Sequence, residues 1–484
     1  MIDPVTRLEG HGKIAIFLND DGGVANVYFQ VPELRGFEKF SEGRAAEDMP
    51  QITQRICGVC PEAHHMASTK TLDDLFHVEP TSAAKKLREL LYSSFYVTDH
   101  TTHFYILAAP DFVMGPDAPP GERNILGVIA KVGLELGGAV IKTRHDNHWV
   151  IQTIGGRPIH PCFGLPGGVS RAINEEERSK IEEIAKSSVE FGKLSLKVFD
   201  DVVLKNKEYL DMVLSDTFTH RTYYMGLVDK NNKVNFYDGK VRVVDPDGKE
   251  FCKYAPRDYL EHVAEHVEPW TYLKFPYLKN VGWKGFVDGK DSGVYRATPL
   301  SRLNAADGMA TPLAQEEYEK MYSTLGGKPA HYTLATHWAR LIELLYAAER
   351  MVELVQDPEI TSTDIRTIPT AKPDEGVGIV EAPRGTLTHH YITDERGVIK
   401  KCNLIVGTTN NYAAFYMSVK KAAEDLIKPG KEITEGLLNR IEMAWRPYDL
   451  CLACATHSLP GQLPLEVSIY DAQGNELKKL SQGI

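Results

Sequence analysis

Two pairs of cysteines lie near opposite ends of the chain, each with two residues between its members. The first pair is Cys57 and Cys60, and the second is Cys451 and Cys454. Four thiolates arranged in this way suit a thiophilic metal ion. Compact zinc motifs place their pairs about 15–20 residues apart, whereas 391 positions separate Cys60 from Cys451 (451 − 60). The whole chain must therefore fold before the four sulfur atoms can meet.

The spacing alone leaves a metal site and a redox disulfide open, and it favours the metal. Zinc leads among metals at this point, because four-cysteine zinc sites are common. The first pair precedes a predicted helix that begins near His64, and a helix N-terminus lowers the pKa of a nearby thiol. The three scattered cysteines are predicted to be small packing residues, too few to hold an iron–sulfur cluster alone. They are Cys162, Cys252 and Cys402.

The segments between the pairs predict long helices that could position such a site. Helical periodicity extends over roughly 81–108, 123–154, 175–208 and 330–356. Asn174 followed by Glu177 predicts a helix N-cap. Hairpins are predicted over 13–31 and 378–407, helices over roughly 411–427 and 433–445, and a strand over 465–470. We predict a helix-rich α+β fold, with a long-helix bundle as its core and peripheral β-hairpins.

The composition narrows the possible partners and the domain organisation. The chain has 484 residues, 43% hydrophobic residues and a net charge of -11. This acidity argues against nucleic acid or an anionic membrane as the main partner. No window approaches the roughly 20 apolar residues of a membrane span, and no signal peptide is visible. We predict a single domain over 1–484, with a β-rich lobe over 215–295.

The residues around the cysteines form five ordered motifs. They are DPVTRLEGH at 3–11, RGFE at 35–38, RICGVCPEAH at 55–64, EAPRG at 381–385 and DLCLACATH at 449–457. Together they resemble the large, catalytic subunit of [NiFe] hydrogenases over nearly the whole chain. The segments at 108–112, 155–161 and 388–391 are most similar to the cytoplasmic, cofactor-coupled branch. That branch includes methyl-viologen-, F420- and NAD(P)-linked enzymes, so the resemblance implies a cytoplasmic protein.

This resemblance implies a nickel–iron centre, Ni-Fe(CN)2CO, bound by both cysteine pairs. Cys57 and Cys451 would be terminal ligands of nickel, while Cys60 and Cys454 would bridge nickel to iron. The implied reaction is the reversible, heterolytic cleavage of H2, in which the metal and a nearby base take the two fragments. Electrons would pass to iron–sulfur clusters on a small partner subunit, and further electron-acceptor subunits are expected.

The resemblance also implies roles for residues that carry no sulfur. Glu9 would receive the proton from Cys451 and pass it on. Arg384 would lie over the open coordination position, where its permanent charge could help to polarise H2. Asp111 and Asp449 would hold Arg384 in place from either side.

Further residues would surround the centre and bind a second metal. Pro383 would line the pocket around the diatomic ligands, and His64 would donate a hydrogen bond to a bridging sulfur atom. Glu38, the backbone carbonyl of Leu404, and His457 would bind Mg²⁺ or another divalent ion, since carboxylates and carbonyls suit such ions.

Two features depart from the pattern of the family. Leu450 stands where most members have proline, which frees the backbone dihedral before Cys451. In most members a maturation endopeptidase cuts the chain after the histidine that matches His457. The tail over 458–484 is therefore expected to be removed, unless this chain belongs to the members that keep it.

Three other functions remain as alternatives. A regulatory H2-sensing subunit would have the same site, and an uncut tail favours it. A metal-free relative in a respiratory complex would not need the four cysteines. A structural zinc protein is disfavoured by the wide separation of the pairs and by the motif around Arg384. The final electron acceptor, the preferred direction, the oxygen tolerance and the higher oligomeric state are not defined by the sequence.

Overall fold

A computed structural model describes residues 2, 5–31, 36–268, 270–271, 273–452, 465–470, 473 and 475–482. The helices in these ranges are α1 (Phe37–Ser41), α2 (Met49–Thr53), α3 (Pro61–Leu75), α4 (Ser82–Thr102), α5 (Ala109–Val113), α6 (Ile125–Val132), α7 (Leu134–Gly155), α8 (Glu175–Phe199), α9 (Lys207–Val213), α10 (Tyr259–His262), α11 (Pro299–Ala305), α12 (Pro312–Thr324), α13 (Thr336–Gln356), α14 (Tyr412–Leu426) and α15 (Glu435–Met443). The strands are β1 (Lys13–Leu18), β2 (Val24–Gln30), β3 (Gly164–Leu165), β4 (Gly168–Val169), β5 (Tyr223–Val228), β6 (Lys240–Val244), β7 (Glu250–Tyr254), β8 (Val263–Val267), β9 (Lys274–Leu278), β10 (Tyr295–Arg296), β11 (Glu375–Ala382), β12 (Gly385–Thr393), β13 (Ile399–Ile405), β14 (Leu465–Tyr470) and β15 (Glu476–Gln482).

Long helices form the centre of the fold, as the periodicity predicts. Helix α13 packs against α8 and α4, and α4 also packs against α7. Most side chains of α13 are buried, including the charged Arg340 and Glu343, because other helices pack against several sides of this helix. None of the described helices combines the length and apolarity that a transmembrane span requires. The observed helices and strands confirm the prediction of a helix-rich α+β fold.

Local signals explain where several of these helices begin and break. Helix α8 starts with the predicted cap, in which the Asn174 side chain accepts from the Glu177 N–H and Glu177 accepts from the Asn174 N–H. The prediction of one helix over 123–154 is wrong, because Gly133 adopts φ 95° between α6 and α7. Helix α4 continues as a π-helical segment, His103–Ala108, which leads directly into α5.

Small antiparallel sheets surround the bundle. Strands β1 and β2 form the predicted N-terminal hairpin, and β11, β12 and β13 form a three-stranded sheet in chain order. The range 215–295 contains β5 to β9, of which β5, β6 and β7 pair in one sheet with β10. Helices α11 and α12 were not predicted from the sequence.

Strand β11 lies directly on the backbone of helix α3. A Cβ atom added to Gly378 would lie 2.3 Å from the carbonyl oxygen of Ala67, and one added to Gly376 would lie 2.4 Å from that of Thr71. No side chain separates the two backbones at these positions. The strand that ends before Pro383 is thereby fixed against the helix that begins after Cys60.

We expect Gly378→Ala to lower the free energy of unfolding by about 1–3 kcal/mol, because the added methyl group overpacks this contact. Gly138→Ala is the matched control, since Gly138 is an exposed position of α7 with nothing within 4 Å of an added Cβ. The control should gain about 0.5–1 kcal/mol, since alanine favours helix. Urea unfolding of both variants tests this, and an unchanged stability in Gly378→Ala would contradict the close contact.

Candidate metal centre

Three of the four predicted sulfur ligands converge in the interior. The Cys57 Sγ lies 3.0 Å from the Cys60 Sγ and 3.2 Å from the Cys451 Sγ. All three residues are buried, and their ligand atoms lie within 4.8 Å of one another. Three buried sulfur atoms this close together could all bind a single thiophilic ion. Cys454 and His457 lie outside the described residues.

The turn before α3 prepares the first cysteine pair for metal binding. The backbone N–H groups of Val59 and Cys60 donate to the Cys57 Sγ at 3.2 and 3.0 Å. Cys60 is the N-cap residue of α3, so the positive end of the helix dipole faces the sulfur atoms. Both features favour the thiolate over the thiol.

The second half of the cluster is joined to the N-terminal segment. Glu9 pairs with Cys451 in a parallel β-bridge, in which the Glu9 N–H donates to the Leu450 carbonyl and the Leu452 N–H donates to the Glu9 carbonyl. The Cys451 Sγ donates to the Glu9 Oε2 at 3.1 Å. A carboxylate therefore lies within hydrogen-bonding distance of a sulfur atom of the cluster.

Arg384 is buried beside this cluster and is held by two carboxylates. Its Nη1 lies 3.1 Å from the Asp99 Oδ2, and its Nη2 lies 3.2 Å from the Asp449 Oδ2. The contact with Asp449 agrees with the sequence-based prediction. The second partner is Asp99 on α4 rather than Asp111, so the prediction that Asp111 holds Arg384 is wrong.

The two carboxylates differ in their affinity for a proton. Burial raises the pKa of the Asp99 carboxyl to about 6, against the pull of the Arg384 guanidinium. Burial would also raise the pKa of Asp449, but Arg384 together with the other nearby cationic groups, Arg340 among them, outweighs burial and holds that pKa below its usual range. Burial would lower the pKa of Arg384, whereas Asp449 and Asp99 raise it well above its ordinary value. The guanidinium therefore keeps its charge in the interior.

Asp111 instead lies between two other guanidinium groups. The Arg446 Nη1 donates to both carboxylate oxygens of Asp111, at 3.0 and 2.8 Å, and the Arg7 Nη2 donates to its Oδ1 at 2.5 Å. The π-helical segment His103–Ala108 lies between Asp99 and Asp111, so the two residues do not follow the phase of one regular α-helix. Asp99 contacts Arg384, whereas Asp111 contacts Arg7 and Arg446.

Two further buried arginines support the backbone that carries Arg384 and Asp449. Arg302 donates to the Ala382 carbonyl at 2.8 Å and to the Pro383 carbonyl at 3.2 Å. Arg340 donates to the Pro383 and Pro447 carbonyls, each at 3.2 Å, and its Nη1 lies 3.1 Å from the Asp449 Oδ2. Arg340 thus joins the two segments of the site.

A hydrogen-bonded chain connects these two arginines. Glu343 accepts from the Arg302 Nε at 2.7 Å and lies 3.0 Å from the His100 Nε2. The His100 Nδ1 lies 3.3 Å from the Arg340 Nη1. Because Arg340 can only donate, His100 accepts through Nδ1 and carries its proton on Nε2. Burial lowers the pKa of His100 to about 4, in agreement with a neutral ring.

His64 and Pro383 make contacts in the structure that differ from their predicted roles. His64 is buried on α3, and its Nδ1 lies 3.2 Å from the His389 Nε2. The hydrogen bond from His64 to a bridging sulfur atom stays a prediction. Pro383 contributes its carbonyl to Arg302 and Arg340, as described above, and its place beside diatomic ligands also stays a prediction.

The structure brings together two of the three residues predicted to bind a divalent ion. The Glu38 Oε1 accepts from the Leu404 N–H at 3.0 Å, whereas the predicted ligand atom is the Leu404 carbonyl. The Lys274 Nζ lies 3.5 Å from the Glu38 Oε2 and 3.2 Å from the Glu265 Oε2. The carboxylates of Glu38 and Glu265 thus both pair with the ammonium group of Lys274.

Sequence reasoning missed Asp99, His100, Arg302, Arg340 and Glu343. A signal was nevertheless present for some of them, because an ionisable residue inside an apolar helix needs a buried partner. Asp99 and His100 are adjacent in α4, and Arg340 and Glu343 lie three positions apart in α13, on one face. Their partners, however, come from segments that are remote in the sequence.

Comparison with known proteins accounts for this arrangement. A family model described as "Nickel-dependent hydrogenase" matches residues 35–118 and 291–457, and one described as "HoxL-like" matches residues 1–34. The chain belongs to the nickel-dependent hydrogenase family. It is the large subunit of such an enzyme, so a nickel–iron centre, and not zinc, is the metal group implied at the cysteines.

The relatives cover nearly the whole chain. An iron-sulfur subunit of an F420-non-reducing hydrogenase from Archaeoglobus profundus is 51% identical over 99% of this chain and 98% of the relative. An NAD-reducing hydrogenase HoxS subunit beta from Cupriavidus necator is 40% identical over 98% and 97%. The crystal structure of an NAD+-reducing [NiFe]-hydrogenase in the H2-reduced state has a TM-score of 0.88 at 36% identity, covering 94% of this chain and 98% of that chain.

One buried histidine next to the site predicts a pH dependence of stability. The His65 Nδ1 donates to the Pro50 carbonyl at 3.2 Å, and its Nε2 accepts from the Gly164 N–H at 3.0 Å. A protonated ring would lose this acceptor. Burial lowers the pKa of His65 to about 4, against about 6.5 in an unfolded chain. The unfolded state therefore binds the proton first, and the stabilisation that is present above pH 6.5 is lost as the pH falls toward 4.

We expect His65→Gln to be less stable than the wild type at pH 7 and to depend less on pH. The difference in the free energy of unfolding between the two proteins should shrink by about 2 kcal/mol between pH 7 and pH 5. Urea unfolding at both pH values measures this difference. Parallel losses of stability in the two proteins would mean that His65 does not titrate in this window.

Proposed function

We propose that this large subunit catalyses the reversible, heterolytic cleavage of H2 and passes the electrons to a small iron–sulfur subunit. In this proposal Cys57, Cys60, Cys451 and Cys454 would hold the nickel–iron centre. The bound nickel–iron centre supplies the acceptor for the electron pair of H2. The observation that carries the proposal is the 3.1 Å hydrogen bond from the Cys451 Sγ to Glu9, inside a buried cluster of three sulfur atoms.

Glu9 is the residue that takes the proton from Cys451. A base must lie about 2.6–3.2 Å from the proton that it receives, and the Glu9 Oε2 meets this requirement. The main-chain pairing of Glu9 with Leu450 and Leu452 supports this role, because it holds the carboxylate beside the sulfur atom.

Arg384 provides a fixed positive charge beside the sulfur atoms. Asp449 and Asp99 are the main groups that raise its pKa, and Cys451 and Cys60 contribute further. A charged group that is already oriented needs no reorganisation during the reaction, so it is effective in a site that excludes water. In this proposal the Arg384 guanidinium therefore acts as a fixed charge beside the position where H2 reacts.

Several finer features belong to the same proposal. Glu38, the Leu404 carbonyl and His457 bind Mg²⁺ or another divalent ion, which the contact between Glu38 and Leu404 supports. A maturation endopeptidase removes the tail over 458–484. The chain forms a single domain, in which 215–295 is a β-rich lobe. The protein is cytoplasmic. The names of the relatives favour an acceptor other than F420, reached through further subunits.

The metal content of the complex purified from its native source tests this function. Nickel and iron should each be present near one atom per large subunit, after the cluster iron of the small subunit is subtracted. The same complex should reduce viologen dyes with H2. Zinc in place of nickel, in a preparation without H2 oxidation, would overturn the proposal.

We expect Glu9→Gln to keep the nickel content and to lower H2 oxidation by about 100-fold or more, because the amide cannot take the proton. Activity should be measured per bound nickel, so that a loading defect is separated from a kinetic one. Turnover at the wild-type rate in a fully loaded variant would remove Glu9 from the proton path.

We expect Arg384→Lys to lose about 10- to 1000-fold in activity, because lysine keeps the charge but lacks the planar fork that reaches both carboxylates. Arg350→Lys is the control, since Arg350 pairs with Glu89 away from the cluster and should keep its rate. Near-wild-type turnover in Arg384→Lys would show that charge alone is sufficient.

A further inference from the structure

Asp111 is the centre of a buried ionic clamp that the proposed reaction does not use. Its side chain is 2% exposed, and it accepts from Arg7, Arg446 and the Asn439 Nδ2, the last at 3.1 Å. Burial would raise the pKa of Asp111, but the guanidinium groups of Arg446 and Arg7 outweigh burial and hold the pKa below its usual range. Asp111 is therefore a permanent anion between two cations.

The clamp joins three segments that are remote in the sequence. Arg7 belongs to the N-terminal segment, Asp111 to α5, and Arg446 to the turn before the second cysteine pair. Additional bonds close the arrangement, because the Asn439 Oδ1 accepts from Arg7 at 3.1 Å and from Arg446 at 2.9 Å. The Thr6 Oγ1 also donates to Glu442, which in turn accepts from Arg446.

The two arginines precede, in their two segments, the residues of the isolated Glu9–Cys451 bridge. Arg7 is two residues before Glu9, and Arg446 is five residues before Cys451. Arg7 adopts φ 57°, in the left-handed region that non-glycine residues rarely occupy. Its Nη1 bond to the Leu107 carbonyl, at 3.0 Å, and its pairing with Asp111 hold it there. This turn directs the chain so that Glu9 meets Leu450 and Leu452.

We propose that Asp111 is a positioning residue for Glu9, acting through Arg7 and Arg446. The inference rests on the proposed function, because the Glu9 carboxylate has a task only if it takes the proton from Cys451. Without Asp111, the segments that carry Arg7 and Arg446 are no longer joined through one carboxylate. The Glu9 carboxylate then spends less time within reach of the Cys451 sulfur atom. Misplacement by about 1 Å is enough to slow such a step by about 100-fold.

The test uses the purified, metal-loaded complex with Asp111→Asn, which keeps the shape of the side chain and removes its charge. H2-dependent viologen reduction should fall by about 10- to 100-fold per bound nickel. The solvent deuterium isotope effect on kcat should rise above that of the wild type, because proton transfer becomes the slow step. A merely structural role would lower the amount of loaded enzyme and leave the isotope effect unchanged.

Two further variants keep the test decisive. Arg7→Lys keeps a cation opposite Asp111 but loses the fork, so it should show a smaller loss with the same rise in isotope effect. In a Glu9→Asp background, where the carboxylate is already withdrawn, Asp111→Asn should cause little additional loss. An equal loss in both backgrounds, or an unchanged isotope effect, would overturn the inference.

Asp73→Asn is the matched control, because Asp73 is also a largely buried carboxylate that pairs with a buried arginine, Arg88. It should lose stability but keep the wild-type rate per nickel and isotope effect. If Asp111→Asn and Asp73→Asn had the same rate per nickel and the same isotope effect, the positioning role of Asp111 would be refuted, but the proposed function would not. A wild-type complex without nickel or H2 oxidation would instead refute the proposed function.

Discussion

Burial of positive charge is the constraint on which this structure depends. Arg302, Arg340, Arg384 and Arg446 are all almost inaccessible to solvent. An unpaired charge in the interior is expensive, so every guanidinium needs carboxylates or carbonyls around it. Those partners come from α4, α5, α13, β11 and the turn before Cys451. Because the partners are remote in the sequence, the charges are satisfied together only when these segments converge, and that convergence also brings the cysteines together.

The parts of the fold that local chemistry determines could be predicted from the sequence. The cap at Asn174 and Glu177 is a short-range signal, and so is the hairpin over 13–31. The helix predicted to begin near His64 is present as α3, which begins three residues earlier with proline at its first position. The convergence of Cys57 and Cys60 with Cys451 was also predictable, since the motifs around these residues restrict the choice. Glu9 beside Cys451 and Asp449 beside Arg384 are the contacts that resemblance located well.

Contacts that depend on helix rotation and packing could not be obtained in this way. The resemblance named an aspartate for Arg384, but the choice between Asp99 and Asp111 depends on phase along α4 and α5. The π-helical turn between them alters that phase in a manner that the sequence pattern does not reveal. The same holds for Arg340, because two of its partners are the backbone carbonyls of Pro383 and Pro447, which leave no trace in residue type. Gly133 shows the converse, because one residue divides a continuous periodic pattern into two helices.

The wide separation of the cysteines has a consequence for biosynthesis. Cys57 and Cys451 are 394 positions apart. At about 5–20 residues per second, roughly 20–80 s of translation pass between them. During that interval the first pair is an incomplete dithiol on a nascent chain, open to oxidation or to capture of zinc. The donor set can therefore be completed only after Cys451 has been synthesised, and until then the two early thiols remain open to these competing reactions.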